Sequence, residues 1–395
     1  MSNPSKTSTS TWWTQSSQID SSLVLGPYRF SLAWVIMMAM VMRTPLHELE
    51  AARGGRFRDY HDWEIAEHYG DPRQEYEVVR GDVGILDLCH AGKLRVADRD
   101  RVRYLNNMLS NDIKNLSAGR GCYATLLTHQ GRMESDLYVY AFTEELWLEC
   151  LPASKPRLFE TLSRYIVGDK VTVADWTEKL GILSLQGPHS RVAIERLTGL
   201  SLESLDLLEH RTLQRPSGNW VVVHRDRTGC GGYDLWAPVL EAPEIWRRCV
   251  ETAQISPVGH AALNWLRTEA GIPWYGTDMG EKTLPMEAGL SHALSMTKGC
   301  YRGQEIVARV LHRGHLDRGI GAVSVQHADP PAAGAEIRAN GNRIGEVSSS
   351  IFSQRLGKPL ALAILRVEFL KPGTPVEVVY GDRNYPGEVI ALPIQ

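Results

Sequence analysis

The strongest constraint on the fold of this 395-residue chain is a change in its hydrophobic pattern near Asp317. Before this point, segments in which apolar residues alternate, as in strands, are mixed with segments of helical spacing. After it, short strand-like segments follow one another with many turn residues between them. A mixed order of strands and helices is typical of α+β proteins, in which antiparallel sheets carry helices on one face. We therefore expect an α+β fold that ends in a small β-barrel.

Individual strands and helices can be placed within this pattern. Strand-like segments before the change lie at 83–88, 92–96, 122–127, 136–142, 146–151, 171–175, 180–185, 220–224 and 232–236. Helical spacing predicts helices at 98–109, 156–165, 191–197 and 243–253, and a helix or turn at 75–83. The strands of the predicted barrel lie at 321–325, 336–338, 345–348, 360–366, 375–379 and 387–391.

Length, charge and cysteine usage narrow the class of protein. A chain of 395 residues is too long for one compact core and predicts two or three domains. The formal net charge of −3 gives no overall basic field for nonspecific binding of nucleic acid. The six cysteines are far apart and none has metal-ligand spacing, so we expect neither a metal site nor a disulfide framework. We expect a reducing compartment, either the cytoplasm or, in a eukaryote, the mitochondrial matrix.

Residues 1–45 differ in composition from the rest of the chain. Ser and Thr crowd the first 22 positions, and Phe30–Met42 is an apolar run of 13 residues, too short to span a bilayer comfortably. Three interpretations are open: a wrongly assigned start with translation beginning at Met42, a membrane or signal element, or a packed helix. We treat 1–45 as an extension, disordered or wrongly assigned, and expect no stable membrane association.

The segment Lys298–Glu305 has the composition of a functional loop. It places Cys300 between two cations, Lys298 and Arg302, and a predicted helix follows it directly. Cations and the start of a helix both favour the thiolate form of a cysteine. Cys300 is therefore a candidate functional thiol. The alternative is a glycine-rich turn with a half-buried cysteine.

Several sequence blocks together resemble the family of the glycine-cleavage T-protein (aminomethyltransferase) and its YgfZ-like relatives. In chain order the blocks are Gly84–Leu88 with Gly92–Val96, Leu109–Ile113, Gly131–Leu137, Leu185–Pro188, Arg227–Asp234, Arg267–Pro273 and Leu284–Leu290. The motif Lys-Gly-Cys-Tyr-x-Gly-Gln-Glu at 298–305 is similar to that of the YgfZ-like branch. The resemblance implies a folate-binding domain at 46–315, built of subdomains around a central hole, and a β-barrel domain at 316–395.

The resemblance also implies a function. It favours a non-enzymatic tetrahydrofolate-binding accessory protein that supports iron–sulfur cluster assembly or repair and tRNA modification. Its partners would be folate, iron–sulfur client proteins or assembly factors held transiently, and tRNA. The alternative is a folate-dependent aminomethyltransferase or other one-carbon transferase. Two departures from the T-protein pattern, Ser135 in place of a carboxylate and Cys230 in place of a pterin-binding glutamate, favour the accessory role.

The resemblance assigns roles to six residues. Cys300 is the functional thiol, and Asp136 lies by the pterin and the transferred carbon. Tyr233 offers an aromatic face to the pterin, and Arg267 binds a carboxylate of the folate tail. The remaining cations, Lys298 and Arg302, are expected to bind the same tail or RNA phosphate.

Overall fold

The computed structural model describes residues 22–25, 28–31, 41–314, 316–381 and 383–394. The chain divides into two units, Met1–Met42 and Arg43–Gln395. In the first unit, strands β1 (Ser22–Leu25) and β2 (Tyr28–Ser31) form an antiparallel hairpin. Most of the apolar run predicted as a membrane element or packed helix lies outside the described residues. Within the described ranges, no helix combines the length and apolarity that crossing a bilayer requires.

The second unit begins with a small element that the sequence pattern did not predict. Strand β3 (Met42–Arg43) and helix α1 (His47–Ala52) precede an antiparallel hairpin of β4 (Arg56–Tyr60) and β5 (Trp63–His68). The residues of β4 are exposed or half-buried, so they lack the alternation of apolar side chains that marks a strand with one buried face.

Two sheets form the centre of the second unit. The first has the order β11-β7-β10-β9-β8, with all neighbours antiparallel. The second has the order β13-β14-β15-β12-β6-β16, and only β16 runs parallel to its neighbour. Their strands are β6 (Gly84–Asp87), β7 (Gly92–Ala97), β8 (Gly121–Leu127), β9 (Met133–Ala141), β10 (Glu145–Cys150), β11 (Thr172–Asp175), β12 (Leu180–Gln186), β13 (His210–Leu213), β14 (Trp220–His224), β15 (Gly232–Pro238) and β16 (Ser256–Pro257).

Helices cover these sheets and bury apolar side chains against them. They are α2 (Pro72–Gly81), α3 (Arg101–Met108), α4 (Lys155–Arg164), α5 (Ser190–Thr198), α6 (Ala242–Arg247), α7 (His260–Glu269) and α8 (Gln304–Arg313). Leu105 of α3 and Leu158 of α4 belong to the core of the first sheet, and Ile194 of α5 and Trp246 of α6 to that of the second. The predicted helix at 243–253 is α6 followed by one π-helical turn.

The carboxyl-terminal strands close into a six-stranded barrel with the order β17-β20-β19-β18-β21-β22. Its strands are β17 (Arg318–Val325), β18 (Glu336–Ala339), β19 (Asn342–Ser353), β20 (Lys358–Arg366), β21 (Pro375–Tyr380) and β22 (Arg383–Ile390). The predicted α+β class and the predicted barrel are confirmed. The domain boundaries near residues 45 and 315 stay predictions.

Candidate functional site

A cavity of about 390 Å³ lies inside the second unit. Its wall combines β9 and the end of β10 from the first sheet with residues that follow β6 and β14 in the second sheet. The β4–β5 hairpin, α7 with the loop after it, and the segment 288–292 also contribute to the wall. Most of the lining is apolar, and a small number of polar side chains face the space. This is the usual composition of a site for a small molecule.

Asp136 is the central polar group of this wall. It lies on β9, where its carboxyl group is buried. The Tyr123 hydroxyl donates a hydrogen bond to its Oδ2 at 2.6 Å, whereas Oδ1 has no hydrogen-bond partner among the described residues. Burial raises the pKa of Asp136, and the hydrogen bond from Tyr123 opposes that change. A buried oxygen left without a donor carries an energetic cost that a bound N–H group would remove.

Aromatic rings lie beside this carboxyl group. Tyr138 is two residues along β9 from Asp136 and so lies on the same face of the strand. The rings of Tyr138 and Tyr123 stack with centroids 4.5 Å apart, and His292 stacks on Tyr123 at 5.5 Å. All of these side chains line the cavity. They form an aromatic stack in which the ring faces of Tyr123 and Tyr138 pack against neighbouring groups of the protein, so the stack presents ring edges to the cavity.

Two arginines from the segment after β14 also reach the cavity, and they differ in their pairing. Arg227 donates to Glu149 at 2.5 Å and to Asp234 at 2.6 Å, so its charge is neutralised within the chain. The guanidinium of Arg225 lies over the ring of Tyr138, 3.6 Å from its centroid. Its Nη1 donates to a backbone carbonyl, and its buried Nε has no acceptor among the described residues.

Two histidines form another part of the wall. Tyr60 packs against both rings, with centroids 5.8 Å from His90 and 4.8 Å from His260. Burial lowers the pKa of His90 to about 3 and also lowers the pKa of His260. Both imidazoles are therefore neutral near pH 7. In the described part of the chain, His90 Nδ1 and His260 Nε2 have no hydrogen-bond partner.

The predicted loop at 298–305 does not line the cavity. The Lys298 ammonium donates to the backbone carbonyls of Asn106, Leu109 and Asn111 at 2.6–2.7 Å. Both Nη groups of Arg302 donate to Glu134 at 2.9 Å. These cations therefore hold the loop against the first sheet and the residues after α3. The structure does not support the predicted binding of a folate tail or RNA phosphate by Lys298 and Arg302, because their charges are already satisfied.

Cys300 itself is exposed and lies outside the cavity wall. It is also not at the first turn of α8, because Gly303 precedes that helix. Gly303 has a φ of +84°, and a side chain there would clash with the Thr128 carbonyl oxygen. The glycines and cations of this segment thus serve the packing of the loop.

Tyr233 and Arg267 are also away from the cavity wall. Tyr233 lies in the core of the second sheet, stacked on His224 at 4.6 Å. Arg267 is 1 % exposed and is paired with Asp278, with further hydrogen bonds to Asn264 and Ser349. The predicted contacts with the pterin ring and the folate tail have no support from these positions, since both side chains are enclosed by the protein.

Several residues of the wall were missed at the level of sequence. A signal was available for Tyr138, because the period of two on β9 places it on the same face as Asp136. Arg225 lies two residues before the family block Arg227–Asp234, and no feature of the sequence distinguishes it from other arginines. No local pattern marks His90 or His260, since they meet only in the folded chain.

Replacement of Cys300 by alanine tests the role predicted from the motif. Because Cys300 is exposed and outside the cavity, we expect the activity of the C300A variant to stay within about twofold of wild type. Its free energy of unfolding should stay within about 0.5 kcal/mol of wild type. One-carbon transfer and thermal unfolding should be measured for both proteins, with Cys122→Ala as a thiol control. A large loss of activity in C300A alone would restore the thiol to the mechanism.

Comparison with known protein families gives two matches that together cover most of the chain. The GCVT N-terminal domain matches residues 46–298. The glycine cleavage T-protein C-terminal barrel domain matches residues 320–394. The order of these matches agrees with the order of the two sheets and the barrel.

Individual proteins show the same similarity over their full length. An aminomethyltransferase of Halothermothrix orenii is 27% identical over 354 residues, which is 89% of this chain and 99% of that protein. One of Anoxybacillus flavithermus is 30% identical over 362 residues, 90% of this chain and 98% of that protein. The crystal structure of glycine cleavage system aminomethyltransferase T from Bartonella henselae is 25% identical. It has a TM-score of 0.84 and covers 90% of this chain and 98% of that one.

These relatives overturn the predicted accessory role. All three are named aminomethyltransferases, whereas the sequence motif at 298–305 favoured iron–sulfur support and tRNA modification. That prediction is wrong, and the iron–sulfur and tRNA partners predicted with it lose their basis. Its argument from Cys230 has no support from the cavity, because Cys230 does not line it.

Proposed function

Because the chain belongs to the glycine cleavage T-protein family, we propose that it is a folate-dependent aminomethyltransferase whose active site is the cavity around Asp136. The observation that carries this proposal is the buried carboxyl group of Asp136, which belongs to the wall of an aromatic-lined cavity and has one oxygen, Oδ1, without a partner among the described residues. Such an oxygen is suited to an N–H group or a developing positive charge on a bound amine.

The residues of the cavity fit tetrahydrofolate as the cosubstrate. A volume of about 390 Å³ lies in the range of small-molecule sites. The stack of Tyr138, Tyr123 and His292 gives the wall aromatic edges for contact with the pteridine ring. In the wall, His90 Nδ1 and His260 Nε2 have no hydrogen-bond partner among the described residues and are candidates to bind its polar edge. When bound, tetrahydrofolate supplies the amine nitrogens that accept the one-carbon unit.

Asp136 is assigned the central part of the mechanism. As a carboxylate, it would accept a hydrogen bond from a reacting amine and stabilise positive charge on that amine as the carbon is transferred. The hydrogen bond from Tyr123 holds Oδ2 and so orients Oδ1. The surrounding apolar and aromatic side chains exclude water, which strengthens the electrostatic interaction.

The proposal is tested by measuring transfer from an aminomethyl donor by the purified full-length protein, with and without tetrahydrofolate. We expect product only in the presence of tetrahydrofolate, with saturable dependence on its concentration. Calorimetric titration of tetrahydrofolate into the same protein provides an independent measure of the site. If the folded protein shows neither binding nor transfer, the proposed function is incorrect.

The pH dependence of the transfer should report the ionisation of Asp136. Burial raises its pKa above the ordinary value of 3.8, so the active carboxylate is lost at a higher pH than for an exposed aspartate. Activity should therefore fall as the pH decreases through this raised pKa. Replacing Tyr123 with phenylalanine removes the hydrogen bond that favours the carboxylate and should move the acid limb of kcat/KM upward by about one pH unit. If the acid limb does not move in Y123F, the hydrogen bond from Tyr123 does not control the ionisation that the pH profile reports.

A further inference from the structure

The cation available to a ligand in this cavity is Arg225, not the arginine that the sequence suggested. Arg267 is bound to Asp278 and lies outside the wall, and Arg227 is neutralised by Glu149 and Asp234. Arg225 lines the cavity and has no carboxylate within ion-pair distance among the described residues. Arg225 is half-buried, and a bound carboxylate would give its charge a direct ion pair that no described side chain provides.

The hydrogen-bonding capacity of Arg225 is only partly used. Its Nη1 donates to the Asp226 carbonyl oxygen at 2.9 Å. Its Nε is buried without an acceptor, and no bond from Nη2 is present in the described part of the chain. The ring of Tyr138 lies 3.6 Å from the guanidinium and fixes its plane. Among the described residues, the donors on Nη2 are therefore not used by protein groups, while the contacts with Asp226 and Tyr138 hold the guanidinium in place.

Two acidic side chains of the cavity wall, Glu149 and Asp136, form no ion pair with Arg225 in the described part of the chain. Glu149 accepts hydrogen bonds from Arg227 at 2.5 Å and from Tyr140 at 3.3 Å. Asp136 has one oxygen bound to Tyr123, and its other oxygen is also without a partner. The cavity thus contains an unpaired cationic donor and an unpaired acidic acceptor in the same wall.

We propose that Arg225 binds a carboxylate of a ligand inside this cavity, with an amine or N–H group of the same ligand at Asp136. This inference rests on the proposed transferase function and adds a chemical class to its substrate. Two ligands carry such a carboxylate: tetrahydrofolate, through its glutamate tail, and a small one-carbon donor that is itself an amino acid.

The spacing of the two groups favours the small donor. Asp136 and Tyr138 are two residues apart on β9, which corresponds to about 7 Å along the strand. Arg225 lies directly over the Tyr138 ring. This placement favours a ligand whose nitrogen and carboxylate are separated by only a few bonds. In tetrahydrofolate, a benzoyl ring and an amide separate the reactive nitrogens from the tail carboxylates.

The test compares each acid with its neutral amide. For the small donor, the probes are N-methylglycine and N-methylglycinamide, the smallest pair that carries a methyl carbon on nitrogen with or without a carboxylate. For the cosubstrate, the probes are tetrahydrofolate and its bis-amide. Binding of all four to the full-length protein is measured by calorimetry, with competition where binding is weak. The proteins are wild type, Arg225→Gln, Arg225→Lys and, as a matched control, the exposed Arg211→Gln.

We expect wild type to prefer N-methylglycine over its amide by about 10- to 100-fold, the range for a hydrogen-bonded charge pair. R225Q should lose this preference, R225K should keep part of it, and R211Q should keep all of it. If R225Q loses only the preference for tetrahydrofolate over its bis-amide, this result also supports Arg225 as the carboxylate site. It would identify the glutamate tail as the ligand of Arg225.

The proposal fails if wild type has no preference in either pair, or if R225Q keeps the wild-type preference in both. Thermal unfolding of every variant verifies that the comparison is made on folded protein. If the proposed transferase function is wrong, the result is different. Wild type then shows no tetrahydrofolate-dependent transfer, whether or not it binds the acids more tightly than their amides.

Discussion

Replacement of Asp136 by asparagine should reduce kcat/KM for tetrahydrofolate-dependent transfer by about 10²- to 10⁴-fold, the range for loss of a general acid or base. Asparagine has nearly the shape of aspartate and retains an oxygen that can accept a hydrogen bond from Tyr123. It cannot carry the negative charge that would stabilise a developing cation. The measurement is steady-state transfer by wild type and D136N at several concentrations of tetrahydrofolate.

Thermal stability separates this catalytic effect from a folding defect. Burial holds the pKa of Asp136 above its ordinary value, so ionisation of this group costs stability as the pH rises through that pKa. D136N removes this cost, and near neutral pH it should be at least as stable as wild type. Asp226→Asn, which changes a half-buried aspartate in a turn outside the cavity lining, is the matched control for activity. Activity in D136N close to that of wild type would exclude Asp136 from the reaction.

Replacement of Arg267 by methionine should lower the free energy of unfolding by about 3–5 kcal/mol, because it leaves the buried Asp278 carboxylate without its cation. The Asp278 side chain is fully enclosed, and Arg267 also donates to Ser349 at 2.8 Å. These contacts join α7 to strand β19 of the barrel. Denaturant unfolding of wild type and R267M measures the loss.

A double-mutant cycle attributes the loss to this ion pair. Asp278→Asn should also be destabilising, and the double variant R267M/D278N should lose less than the sum of the two single changes. In folded R267M, the affinity for tetrahydrofolate should stay within about threefold of wild type, since Arg267 does not line the cavity. A stable R267M protein with a large loss of tetrahydrofolate affinity would instead support the role that the sequence resemblance assigned to Arg267.

Features of the fold that depend on residues close together in the chain were predictable from the sequence. The period of two in β9 and the helical spacing of α3, α4 and α5 were recognised with small errors at their ends. The barrel followed from the run of short strands after Asp317. Exposed strands such as β4 were missed, because a strand without a buried face has no hydrophobic period to detect.

The blocks of the family resemblance determined the superfamily, whereas the choice between its branches was wrong. The motif at 298–305 was interpreted as a reactive thiol between free cations. In the folded chain, Lys298 is held by carbonyl oxygens 187–192 residues earlier in the sequence, and Arg302 by Glu134, 168 residues earlier. Their use in packing depends on distant partners that the motif does not contain.

By itself, the sequence determined the α+β class, the barrel and the T-protein superfamily, because each follows from local period or from residues close together in the chain. The role of Asp136 was predicted from the family resemblance and stays a prediction. Only the tertiary structure decided which charges are satisfied. It enclosed Arg267 with Asp278 and Ser349 and left Arg225 facing the cavity with donors unpaired among the described residues. The physical reason is that the availability of a charge depends on its partners in space, which chain position does not specify.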